Sequence, residues 1–151
     1  MDESYIKVKG QWTYYYRAVD KQGQTIDFLL TATRDTQAAF RFLTKAMGQN
    51  GKPSLVNIVQ SGANHAGLNQ YNRAYKKRIK IRQCKYLNNI IEQDHRRIKR
   101  LTRPMLGFKN FHAAQRTLAG IEVMAMIRKG QLKRSAGNEK TPAELFYALA
   151  A

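Results

Sequence analysis

Two carboxylates and one lysine stand where charged groups can do more than solubilise a surface. Asp2 opens the first run of alternating residues. Glu92 falls in the first turn of a basic helical run, Lys85 to Arg100, and Lys99 follows it by seven positions. Seven residues are close to two helical turns, about 10.5 Å along the axis, so Glu92 and Lys99 share a face. A carboxylate for a hard cation and an ammonium for a nearby phosphate suit phosphodiester chemistry. The same residues have plainer readings. Glu92, three after Asn89, has the spacing of a capping box, and Asp2 beside Glu3 would ordinarily be a solvated terminus. Spacing alone leaves both readings open.

Other chemistry-bearing types are sparse. His65, His95 and His112 have no metal-ligand spacing, and Cys84 is the single cysteine, so a zinc site or a disulfide framework is not expected. His95 reads as a partly buried helix residue or a DNA contact, and Cys84 as an inert thiol at a strand end. Tyr14-Tyr15-Tyr16 resembles a base-stacking platform, but aromatic residues are good strand formers and sheet packing is the simpler expectation.

Charge is the strongest compositional signal. In 151 residues, 27 Lys+Arg oppose 10 Asp+Glu, a formal net charge of +17. A polyanion is the implied partner, nucleic acid before anionic membrane. The excess is uneven: net +3 over residues 1–70, +10 over 71–103 and +4 over 104–151. Arg96, Arg97, Lys99, Arg100 and Arg103 would hold phosphates without reading base sequence. No stretch approaches a membrane span and the start lacks a basic-then-apolar leader, so a cytoplasmic protein is expected, with no small-molecule substrate.

The elements that must position these groups follow from periodicity. Ser4 to Lys9 and Trp12 to Asp20 alternate about a Gly10-Gln11 turn, Asp20 to Gly23 makes a second turn, and Thr25 to Ala32 is a third strand. Ala39, Phe42, Leu43, Ala46 and Met47 then recur at helical spacing behind a capping Asp35. A strand at Leu55 to Val59, a helix at Gly67 to Tyr75 and a strand at Arg78 to Gln83 come next. A helix with Asn89 as N-cap runs to Arg103-Pro104, and the last helix, Phe111 to Lys129, turns Leu118, Ile121, Met124 and Ala125 inward, with Gly130 as C-cap. The order is βββαβαβαα: one α/β domain over 1–131, with a polar tail over 132–151.

At this point the chain resembles transposases of the insertion sequence 6 family, which have a DDE catalytic domain. The matching segments are Met1 to Gly10, Tyr16 to Asp20, Lys85 to Arg100, Gly107-Phe108-Lys109 and Gly120 to Met124. The resemblance implies a ribonuclease-H-like fold, a mixed five-stranded sheet with flanking helices. It also implies two Mg²⁺ ions held by an Asp, a second Asp and a Glu, with DNA as partner and a possible homo-oligomer. Asp2 matches the first ligand, Glu92 the third, and Lys99 the basic residue expected to touch DNA near the scissile phosphate.

The second ligand is missing. Similar transposases read approximately Val-Asn-Ile-Asp-Lys-Ser-Gly-Ala-Asn where this chain reads Val56-Asn57-Ile58-Val59-Gln60-Ser61-Gly62-Ala63-Asn64. Valine cannot coordinate Mg²⁺, and Asn57, Gln60, Ser61 and Asn64 are at best neutral oxygen donors. Whether Asp35 or Asp94 reaches the site is open at this stage. Similar proteins also carry an N-terminal segment of helix-turn-helix type before the first Asp. The expectation is a transposase catalytic-domain fragment whose ancestral reaction is metal-dependent strand cleavage and transfer, inactive in this copy. The alternative is a catalytically dead, non-specific DNA-binding remnant.

Overall fold

In the computed structural model, residues 1–59, 61–84, 89–131 and 141–150 are described. Three antiparallel strands come first: β1 (Asp2–Val8), β2 (Gln11–Val19) and β3 (Thr25–Thr31). The β1–β2 register runs from Asp2 opposite Arg17 to Val8 opposite Gln11. Lys9 and Gly10 close the hairpin with φ of 50° and 78°. Two central residues at positive φ give the mirror-image turn whose twist suits a two-residue hairpin. At the second turn, the Asp20 carboxylate accepts from the amides of Gln22 and Gln24, each at 2.9 Å.

Helix α1 (Thr36–Asn50) is capped as expected, with Asp35 accepting from the Ala38 amide at 2.7 Å. Its buried face is Ala38, Ala39, Phe42, Leu43, Ala46 and Met47. Strands β4 (Leu55–Ile58) and β5 (Lys80–Gln83) pair in parallel across the crossover helix α2 (Gly62–Ala74). Helix α3 (Asn89–Thr102) leads into a short 3-10 turn at Arg103–Met105, and α4 (Phe111–Arg128) follows, capped by Asn110. A fifth helix, α5 (Pro142–Ala150), lies within the reach read as a polar tail.

Several boundaries differ from the sequence reading. Helix α2 begins five residues before Gly67, because Ser61 caps it through the Asn64 amide and its first turn carries few large apolar residues. Asn89 is the first residue of α3 rather than its cap. Gly130 sits one position past the C-cap Lys129, and the Gln131 amide bonds the Met126 carbonyl, the Schellman arrangement. The five strands fall into two hydrogen-bonded groups, β1-β2-β3 and β4-β5, rather than one continuous ladder. The groups touch where the Met1 amino group donates to the Asn57 carbonyl at 2.8 Å. One bond just ahead of β1 does not make a ladder.

Side chains alternate across the meander into two cores. Tyr16, Phe42, Leu68 and Tyr71 belong to the core under α1 and α2, whereas Ile6, Tyr15, Ile98 and Leu118 belong to the core under α3 and α4. Tyr15 and Tyr16 are thus packing residues, buried on opposite faces. Gly67 sets the closeness of α1 and α2, since a Cβ there would sit 2.7 Å from the Ala39 Cβ and 3.1 Å from the Phe40 amide nitrogen. Gly67→Ala is expected to force the helices apart at a cost of about 1–3 kcal/mol, read as a lower urea midpoint.

Candidate active site and cationic face

The start of β1, the end of β4 and the first turns of α3 meet in one place. The Asp2 side chain is mostly buried, and its Oδ2 lies 3.5 Å from Nε2 of His95 on α3. Burial pushes the Asp2 carboxyl up to about 6, and the negative charges of Glu3 and Glu92 add to the shift. Glu92 is exposed one turn before His95 on α3. Val59, half-buried, follows directly on β4, two residues after the Asn57 carbonyl that accepts from Met1.

His95 is a buried residue of α3 rather than a surface contact. Burial pushes its imidazole down to about 3, with the charges of Arg17 and Lys99 acting in the same direction. It is therefore neutral at physiological pH, and neither ring nitrogen has a hydrogen-bond partner. His65 and His112 are exposed on α2 and α4. Cys84 is a half-buried free thiol whose amide donates to the Ile58 carbonyl at 3.2 Å.

Of the described neutral oxygen donors around Val59, Oδ1 of Asn57 and Oδ1 of Asn64 are buried without a hydrogen-bond partner, and the others are engaged. Ser61 caps α2, and the Asn64 amide group donates to Glu3. Asp35 caps α1. Asp94 is half-buried on α3 and takes Lys129 Nζ at 2.6 Å, Arg17 at 3.3 Å and Arg97 at 3.3 Å. Burial opposes its ionisation, but the Lys129 hydrogen bond and the three cations hold the carboxyl below the usual range. Gln60 lies outside the described residues. Among the described residues, no three His, Cys, Asp or Glu side chains come together as a metal-holding group. With Val59 in place of an acid, Asp2 and Glu92 supply one carboxylate fewer than the hard-cation pair of a DDE site needs.

Asp94 belongs to a network that sequence reasoning missed. Arg17 and Glu122 are fully buried; Arg17 Nε and Nη2 donate to the two Glu122 oxygens at 2.5 and 2.9 Å, and the Tyr15 hydroxyl donates to Oε1 at 2.8 Å. Burial raises the Tyr15 hydroxyl well above its ordinary range, reinforced by the Glu122 charge. The signal available was one charge at a core position in each element. Arg17 shares a strand face with Tyr15, and Glu122 interrupts the inward stripe of α4 between Leu118 and Ala125.

The basic residues divide. Arg96, Arg100 and Arg103 are exposed, Lys99 is half-buried, and Arg97 is half-buried and paired with Asp94. Lys99 and Arg103 line a groove of about 390 Å³ with Tyr5, Lys7, Trp12 and Leu106. No helix among the described residues is long and apolar enough to cross a membrane.

Comparison with known proteins bears on this arrangement. A family model described as a DDE domain matches residues 1–131. Two Staphylococcus aureus proteins are each 40% identical over 134 residues, 87% of this chain: the transposase for insertion sequence-like element IS431mec and the transposase for insertion sequence element IS257 in transposon Tn4003. The chain spans 58% of the length of each.

Proposed function

Because this chain belongs to the insertion-sequence transposases that carry a DDE domain, we propose that it is a transposase catalytic-domain fragment that has lost strand cleavage and kept DNA binding. The observation that carries the reading is Val59 at the end of β4, two residues past the Asn57 carbonyl that bonds Met1, where similar transposases carry a carboxylate. Asp2 and Glu92 are the two retained ligand positions of a family site built for Mg²⁺. With burial holding the Asp2 carboxyl near 6 and no acid at Val59, divalent-metal affinity is weak and no strand transfer follows. The Met1–Asn57 bond supports a ribonuclease-H-like arrangement with β1 beside β4, the five strands lying in the order 3-2-1-4-5.

DNA binding rests on the face presented by α3 and its 3-10 extension. Arg96, Arg100 and Arg103 are exposed, and Lys99 opens onto the adjoining groove. Arg97 contributes less, being committed to Asp94. These cations hold phosphate oxygens irrespective of sequence, so the fragment occupies DNA in the bacterial or archaeal cytoplasm, alone or as a homo-oligomer. The expected result is duplex affinity that falls with salt, with a log–log slope near −0.9 for each phosphate neutralised. Arg96→Ala with Arg100→Ala lowers that slope by about 2. Neither Mg²⁺ nor Mn²⁺ yields product from a pre-branched strand-transfer DNA. A flat salt response between about 50 and 200 mM, or metal-dependent product, overturns the reading.

A further inference from the structure

We propose that the groove beside Lys99 is a stacking site for an unpaired nucleobase of single-stranded DNA, with Trp12 as the platform. The inference rests on the DNA-binding reading above and adds a mode of contact to it. Trp12 is the chain's single tryptophan and is 60% exposed, although its neighbours along β2 are buried or half-buried from Thr13 onward. It stands opposite Lys7 in the β1–β2 register, and Tyr5 meets it edge-on with ring centroids 6.4 Å apart. The Lys7 ammonium lies 5.8 Å from the centre of the indole ring.

The opposite wall is held in place. Phe108 donates its amide to the Lys7 carbonyl at 2.8 Å, and Lys9 donates to the Phe108 carbonyl at 2.7 Å. This pins the segment after the 3-10 turn to β1 and leaves Leu106 91% exposed at the rim. Lys99 and Arg103 enter from the helical side.

The lining selects the occupant. Lys7, Lys99 and Arg103 supply three cations, and among the described residues no carboxylate lines the groove. An apolar protein segment laid there would desolvate those cations without pairing them, at a steep cost. A duplex supplies phosphates but keeps its base faces stacked on one another. A single strand supplies both phosphates for the cations and a free π-face for the indole, the combination that single-strand grooves use.

The sole tryptophan makes the test direct. A short oligothymidylate is titrated into the full chain while Trp12 emission is followed, beside an abasic phosphodiester strand of equal length and charge. Stacking quenches the indole, and the thymidylate binds at least about fivefold tighter than the abasic strand. Trp12→Ala brings the thymidylate down to the abasic affinity; the exposed position leaves the fold intact, checked by the variant's thermal midpoint. Equal binding of the two strands, or saturation without a change in Trp12 emission, overturns the stacking site but leaves the cationic DNA face standing. Failure of both strands and of duplex to bind at low salt overturns both readings.

Discussion

Removing the Glu122 carboxylate is expected to cost about 3–5 kcal/mol, a large share of the 5–15 kcal/mol that ordinarily separates folded from unfolded states. Glu122→Ala leaves the fully buried Arg17 guanidinium without its bidentate partner and the Tyr15 hydroxyl without its acceptor. Arginine does not escape by deprotonating, because a guanidinium stays protonated in proteins. A cavity and an uncompensated charge therefore persist together. Glu122→Gln keeps an acceptor for Tyr15 but not the charge for Arg17, so its cost should be intermediate. Tyr15→Phe should cost only about 1 kcal/mol, because Arg17 still satisfies the carboxylate. Urea unfolding of the three variants gives the ranking, and a loss below 1 kcal/mol for Glu122→Ala would refute it.

The effect should extend to the site. Through Asp94, Arg17 and Lys129 tie α3 to β2 and α4, two residues from Glu92 and one from His95. A loosened network would let α3 drift from the Asp2 end of β1, and DNA affinity at the cationic face would fall with stability.

Restoring the missing acid should have the largest effect on chemistry. Val59→Asp, with Gln60→Lys to match similar transposases, is expected to gain measurable Mn²⁺ binding by calorimetry. It should also gain metal-dependent reversal of strand transfer on a pre-branched DNA. The rate difference from the unmodified chain should be about 10³-fold or more, since several kcal/mol of charge stabilisation are at stake and each 1.36 kcal/mol is tenfold. The argument is local. Asp2 already lies against α3 at His95, and the Met1 amino group already bonds β4 two residues before Val59. A carboxylate added there is expected to give Asp2 and Glu92 the third acid that similar transposases carry. Product from the variant alone supports one lost ligand as the cause of silence. Product from the unmodified chain refutes the loss of cleavage, and silence from both refutes the claim that the scaffold is otherwise competent.

Metal binding by the restored variant should also change Asp2. A divalent cation stabilises the carboxylate against burial, so the pH above which Mn²⁺ binds should fall below the value near 6 that burial imposes. Binding that stays confined to pH above 6 would place the ion away from Asp2.

How much of this was legible in the sequence depends on distance along the chain. The meander followed from strict alternation and from turns whose residues act on their immediate neighbours, such as Lys9-Gly10 and Asp20. Helix α1 followed from its 3.6-residue apolar face and a cap three residues away. The start of α2 was hidden because Ser61 offers a cap but Gly62 to Ala66 has few large apolar side chains to set a period. Helix α5 has a local signature in Thr141 and Glu144, which form a capping box, with the Thr141 amide donating to the carboxylate at 2.6 Å and the Glu144 amide to the hydroxyl at 3.3 Å.

The candidate site divides in the same way. Residue types along the chain were enough to nominate Asp2, Glu92, Lys99 and the arginines of α3, and to show a valine where similar transposases carry an acid, because chemical identity is a property of the residue itself. Only the tertiary structure decided which of those groups are free. It committed Arg97 and Asp94 to one another and left Arg96 and Arg100 exposed. It buried His95 as a neutral neighbour of Asp2, and it exposed Trp12 rather than Tyr15 or Tyr16. It also joined Arg17 to Glu122 across 105 residues. Solvation and Coulomb energy depend on what surrounds a group in space, and periodicity along a chain carries no record of that.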